Sequence, residues 1–138
     1  MKRAEVVGWL REERAEALEA LYRRADEVRR RTVGEAVHLR GLIEISNHCA
    51  RSCGYCGLRR EHEGLGRYRM TAEEILGCAR EAAEYGYGTV VMQSGEDYGI
   101  GAEWMAGVIR RIKVETGLAV TLSLGEREDR ELGAWREA

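Results

Sequence analysis

The sequence predicts an α/β fold, with parallel strands covered by helices in three β/α units after an N-terminal helix. Three observations predict it. From Gly41 onward, short apolar runs alternate with amphipathic stretches in a regular rhythm. The amphipathic stretches carry helix start and stop signals. The central apolar run, residues 89–93, is unbroken, as expected of a parallel strand buried on both faces. With 138 residues the chain has room for one domain. Residues 1–40 read as a helical extension and residues 41–138 as the β/α part.

Residues 3–31 read as one helix, because Leu18, Leu21, Tyr22, Ala25 and Val28 recur at helical spacing with Arg and Glu between them. The interleaved acids make this a solvated helix rather than a basic binding face. Residues 42–46 form the first strand, and residues 47–69 a long loop. Thr71-Ala72-Glu73-Glu74 is a capping box, in which a hydroxyl and a carboxylate each satisfy an orphan N–H at a helix start. The helix that follows puts Ile75, Leu76, Ala79, Ala82 and Ala83 on one face, and Gly86 and Gly88 punctuate its end. Residues 89–93 are the second strand. Met105, Val108, Ile109 and Ile112 mark the next helix, which Gly117 stops. Residues 118–123 form the third strand, and a last helix starts near Asp129.

The formal net charge is -2, with 33% of residues charged. That balance gives no electrostatic basis for binding nucleic acid or a membrane surface. No apolar run approaches the roughly 20 residues of a membrane span. The first residues, with acids at Glu5, Glu12 and Glu13, are not a secretory signal. A cytoplasmic location is expected.

Three of the four cysteines lie within eight residues, in Cys49-Ala50-Arg51-Ser52-Cys53-Gly54-Tyr55-Cys56. Clustering of this kind points to metal or redox chemistry rather than to a disulfide framework. Three thiolates on one short loop can hold three corners of a cube and leave one iron open, where a closed cluster normally takes four. Gly54 and Gly57 permit tight turns around such a group. The competing reading is zinc, which would need a fourth ligand from His48, His62 or Cys78. His48 adjoins Cys49, and Cys78 sits on the inner side of a helix, where a buried structural thiol is expected.

The other two strands also end in ligand-type residues. Gln93-Ser94-Gly95-Glu96-Asp97 follows the second, and Ser123-Leu124-Gly125-Glu126 the third. A glycine beside an acid suits close approach of backbone to ligand. Polar residues at the same end of three consecutive strands mark the end where sites of such folds are built. Glu126 also suits the start of the following helix, where the dipole favours an acid.

The C-x3-C-x2-C spacing, with an aromatic residue before the third cysteine and a strand before the first, resembles the signature of the radical S-adenosylmethionine (SAM) superfamily. The resemblance implies that Cys49, Cys53 and Cys56 ligate a 4Fe–4S cluster whose fourth iron takes SAM. It also implies that reduction splits SAM into methionine and a 5′-deoxyadenosyl radical. By the same resemblance Tyr55 lies near the adenine, and Ser94, Gly95 and Glu96 match a Gly-Gly-Glu-like segment that contacts the amino group of SAM. Ser123 and Glu126 are then candidates for contacts to its ribose or carboxylate.

The wording around these motifs is more specific. Gly41-Leu-Ile-Glu-Ile-Ser-Asn-His-Cys49, Tyr55-Cys-Gly-Leu-Arg-Arg60, Arg67-Tyr-Arg-Met-Thr71, Gln93-Ser-Gly-Glu-Asp97 and Thr121-Leu-Ser-Leu-Gly-Glu126 together look like the HydE family of FeFe-hydrogenase maturases. The resemblance runs from about Leu18 to the C-terminus. It implies the N-terminal part of a (β/α)8 barrel, a small iron-containing precursor or other small molecule as substrate, and an electron donor such as ferredoxin or flavodoxin. His48 stands where the family leads one to expect Tyr, and Ser-Asn-His-Cys also resembles the methylornithine synthase PylB. The alternatives are therefore a PylB- or biotin-synthase-type enzyme, or a non-catalytic iron–sulfur or zinc module. A sheet ending at strand three would leave an unpaired edge, so the chain on its own is expected to fold poorly or to associate.

Overall fold

A computed structural model describes residues 2–138. The chain forms two units, one ending at Val37 and the other spanning His38–Ala138.

In the first unit the single helix expected over residues 3–31 is two helices, α1 (Arg3–Leu10) and α2 (Ala15–Val33). The break has a local cause. Glu12 folds its carboxylate back on the chain, where Oε1 accepts from the N–H of Glu13 at 3.1 Å and of Arg14 at 3.0 Å. Those bonds replace the carbonyl partners that a continuous helix would supply. The Arg14 guanidinium grips the same carboxylate and holds its pKa down to about 2. Leu18 and Leu21 of α2 are half-buried, while Tyr22 and Val28 are exposed.

The second unit runs β1 (Gly41–Ser46), α3 (Ala72–Glu84), β2 (Thr89–Ser94), α4 (Ala102–Thr116), β3 (Ala119–Ser123) and α5 (Asp129–Glu137). The strands form one parallel sheet in the order β1-β2-β3. Ile43 is level with Met92, and Gln93 with Ser123. The register slips between Glu44 and Ser46, so Ser46 pairs with Ser94. This is the expected α/β rhythm, and the expected caps form. Thr71 N–H donates to Glu74 Oε2 at 2.7 Å, and Glu74 N–H donates to the Thr71 hydroxyl at 3.3 Å. Gly117 closes α4 at φ 70°, a left-handed conformation that costs a glycine little.

Ile43, Ile45, Val90 and Met92 of the sheet join Ile75, Leu76 and Ala79 of α3, Met105, Ile109 and Ile112 of α4, and Trp135 of α5 in one apolar core. Trp135 Nε1 donates to the Ala102 carbonyl at 2.9 Å, which satisfies the indole inside that core. The expectation that β2 is buried on both faces needs correction. Val90 and Met92 are buried, but Val91 is half-buried and Gln93 exposed. Leu42 on β1 is 57% exposed. The helices cover one face of the sheet, and the period-2 alternation of a strand leaves the other face open. Cys78 also differs from expectation, being half-buried against the core rather than fully buried.

Candidate functional site at the C-terminal ends of the strands

The cysteine segment leaves β1 through Asn47, whose side chain donates to the Gly66 carbonyl at 2.8 Å and accepts from Tyr68 N–H at 2.7 Å. Both ends of the long loop are thereby tied to one buried amide. Arg67 ties its middle. Nη1 donates to the carbonyls of Asn47 at 2.6 Å and Leu58 at 2.9 Å, and Nη2 to that of Arg59 at 2.7 Å. A guanidinium supplies the several fixed donors such a loop requires, because its carbonyls have no strand or helix partners. Within the loop, Cys56 N–H donates to the Cys53 carbonyl at 3.0 Å.

Cys49, Cys53 and Cys56 are free and half-buried. Two sulfurs accept backbone N–H groups, Cys56 Sγ from Leu58 and Cys49 Sγ from Glu96, each at 3.4 Å. Donors aimed at sulfur stabilise thiolate charge and tune bound clusters. Among the described residues, no three His, Cys, Asp or Glu side chains gather to hold a single metal ion. Of the ligands a zinc site would call on, Cys78 packs against the core and His62 Nδ1 lies 2.7 Å from the Gly57 carbonyl. The three thiols share one loop, and two of their sulfurs receive backbone N–H groups.

The loop after β2 closes onto this segment. Ala50 N–H donates to the Glu96 carbonyl at 2.9 Å. A Cβ on Gly95 would sit 2.4 Å from the His48 carbonyl oxygen and 2.8 Å from Cys49 Cβ, so only glycine fits there. The Glu96 side chain is 11% exposed. Its Oε1 accepts from Glu126 N–H at 2.8 Å and from the Tyr98 hydroxyl at 3.3 Å, and lies 3.5 Å from Arg51 Nη2. Arg51 also pairs with the Glu126 carboxylate, whose charge is the largest cause raising the Arg51 pKa.

The fold thus gathers Cys49, Gly95, Glu96 and Glu126 from three loops. Other candidates stand apart from this contact set. Tyr55 is 93% exposed, Ser123 is exposed at the end of β3, and the Ser94 hydroxyl donates to the Gly95 carbonyl of its own loop.

Sequence reasoning missed the buried anchor beneath these loops. Asp97 is buried and accepts from the Ser46 hydroxyl at 2.6 Å, Arg69 Nε at 2.7 Å, Arg69 Nη2 at 2.8 Å and Gly99 N–H at 2.9 Å. Burial pushes its carboxyl up, but the Arg69 guanidinium, the Ser46 hydroxyl and the Gly99 N–H together outweigh burial and hold it at about 2. Its carbonyl accepts from Arg127 Nη2 at 2.6 Å. The available signal was an arginine just ahead of a helix cap and an acid just past a strand end. Such residues are common, and nothing local pairs positions 28 apart.

No protein-family model matches the chain. Over 120 residues it is 49% identical to the [FeFe] hydrogenase maturase subunit HydE of Thermotoga maritima, covering 87% of this chain and 34% of that protein. Over 122 residues it is 32% identical to a biotin synthase of Pelobacter propionicus, covering 84% of this chain and 37% of that one. The crystal structure of methylornithine synthase (PylB) superposes with a TM-score of 0.73 at 31% identity, over 91% of this chain and 38% of its own. The chain spans about a third of the length of the curated relatives it matches. The α/β unit with its parallel sheet corresponds to part of a radical SAM barrel. Cysteine loop, fold and likeness agree, and the chain is a radical SAM protein, HydE-like over the region it spans.

Proposed function

We propose that this chain is part of a HydE-like radical SAM enzyme that cleaves SAM reductively during assembly of the FeFe-hydrogenase H-cluster. The observation that supports this most is the joining of the cysteine loop to the Gly95–Glu96 turn, where Ala50 donates to the Glu96 carbonyl and Glu96 N–H to Cys49 Sγ. In this reading Cys49, Cys53 and Cys56 hold a 4Fe–4S cluster and leave one iron for the amine and carboxylate of SAM. A cluster bound there supplies the electron that splits SAM into methionine and a 5′-deoxyadenosyl radical.

The chain's own residues bind and orient. The Glu96 carboxylate receives the ammonium group of SAM, and the bare Gly95 backbone lets the ligand lie close. Ser94 lines the same turn, and Ser123 and Glu126 meet the ribose or carboxylate from the next loop. Tyr55, on the exposed rim, stacks beside the adenine. The substrate is a small iron-containing precursor or another small molecule, the electron donor is a ferredoxin or flavodoxin, and the setting is cytoplasmic. No helix among the described residues is long and apolar enough to cross a membrane.

Anaerobic reconstitution with iron and sulfide tests the reading. A brown protein with about four irons per chain, lost in Cys53→Ala, is expected. A colourless chain holding stoichiometric zinc would contradict it.

A further inference from the structure

The loop after β3 contributes to the candidate site in a way its side chains do not suggest. Glu126 points its carboxylate outward, 84% exposed, yet its N–H donates to Glu96 Oε1 at 2.8 Å. The preceding residue, Gly125, has φ 79°. A Cβ built there would lie 2.6 Å from Glu96 Oε2, 2.8 Å from Cδ and 3.1 Å from Oε1. The carboxylate therefore fills the space that any other residue at 125 would occupy. The Tyr98 hydroxyl at 3.3 Å and Arg51 Nη2 at 3.5 Å also reach Oε1.

We propose that Gly125 and the Glu126 N–H form a backbone cradle that positions the Glu96 carboxylate beside the cysteine loop. Gly125 is thus a positioning residue, which acts through Glu96. This rests on the reading of Glu96 as a contact for the SAM ammonium group, and it adds what holds that carboxylate in place. Two glycines of the site differ in a useful way. At Gly95 an added Cβ meets main-chain atoms, the His48 carbonyl oxygen and carbon, as well as Cys49 Cβ. At Gly125 its three nearest neighbours all belong to the far end of one flexible side chain. The Gly125→Ala chain can keep its fold by swinging the carboxylate aside, at the added cost of an alanine at positive φ.

The test has two readouts on the full chain. The first needs no cofactor. Carbodiimide-driven amidation of carboxylates, read by peptide mass spectrometry, is expected to be slow at Glu96 and fast at Glu126 in the wild type. In Gly125→Ala it is expected to become fast at Glu96 and stay fast at Glu126. Gly125→Asn, whose side chain tolerates positive φ better, is expected to do the same, and it serves if Gly125→Ala fails to fold. The second readout is SAM affinity of the reconstituted protein. A loss of about tenfold in Gly125→Ala is expected, the size of one displaced charge-assisted hydrogen bond, with iron content unchanged. In a Glu96→Gln background the same substitution is expected to cost little, because the group being positioned is already altered. Unchanged labelling at Glu96 in the folded variants would overturn the cradle, and so would an equal affinity loss with and without the Glu96 carboxylate. A labelling change in a chain whose wild type binds no SAM would support the cradle and overturn the SAM reading.

Discussion

The helix-covered face of the sheet and the C-terminal ends of its strands bury different chemistry. The covered face holds Ile43, Ile45, Val90 and Met92 against α3 and α4. The strand ends hold Ser46, Asn47 and Asp97, the buried polar residues among those described. Apolar burial is non-directional and proportional to area, so it stabilises the unit without fixing any single atom. Hydrogen bonds and ion pairs are directional, and buried ones penalise every wrong geometry. Stability and precision of placement are therefore supplied by separate regions. Variants in one region should lower stability and leave the loops intact, and variants in the other should misplace the loops.

The largest expected effect is on the covered face. Leu76→Ala deletes a fully buried side chain and is expected to cost about 2–5 kcal/mol in urea denaturation. Iron bound per folded chain after reconstitution should be unchanged. Reduced iron in the folded fraction would show that the regions are coupled.

Gly95→Ala is next. The main chain of the cysteine loop must move to admit the methyl group, at a cost of about 1–3 kcal/mol or somewhat more. Here the iron content of the folded fraction should fall, the reverse of the Leu76 pattern. Retained iron at full occupancy would mean that the glycine contact does not shape the loop.

Asp97→Asn leaves Arg69 with a weaker partner. The Arg69 side chain is 46% exposed, so the expected cost is about 2–3 kcal/mol, below the usual figure for breaking a fully buried pair. The pH dependence identifies its origin. The folded carboxyl sits at about 2, below its ordinary value of 3.8. Between these values the unfolded chain binds more protons, so stability rises with pH there. The contribution is fully present above about pH 4 and is lost as pH falls towards 2, and Asp97→Asn should lack that part of the acid limb. Identical acid limbs in wild type and variant would remove Asp97 from this role.

The smallest effect is at Thr71. Thr71→Ala removes the hydroxyl of the α3 capping box and should cost about 1 kcal/mol, with no effect on iron. It calibrates how much stability can be lost beside the site without disturbing it.

Much of this organisation was legible in the sequence because its signals are local. The Thr71–Glu74 capping box, the left-handed Gly117 and the apolar periodicity of α3 and α4 each depend on residues within a turn of one another. The cysteine spacing is equally local. What escaped reading depends on distance or on competition. Asp97 and Arg69 meet only after β1 and β2 have paired. The Gly125–Glu96 contact needs β3 in register with β2. The N-terminal helix breaks because the Glu12 side chain outcompetes helical carbonyls for two N–H groups, which apolar spacing does not report. The open face of β2 was misread because Thr89 to Gln93 is apolar on Val91 as on Val90, while the helices cover only one side.

The central claim is that the C-terminal ends of these strands form a site where the cysteine loop and the Gly95–Glu96 turn serve one ligand. Electron paramagnetic resonance of the reduced, reconstituted chain with and without SAM tests it most directly. The expected result is a reduced-cluster signal that shifts on adding SAM in the wild type and shifts less, at the same SAM concentration, in Glu96→Gln. A cluster signal that SAM leaves unchanged in the wild type would contradict it.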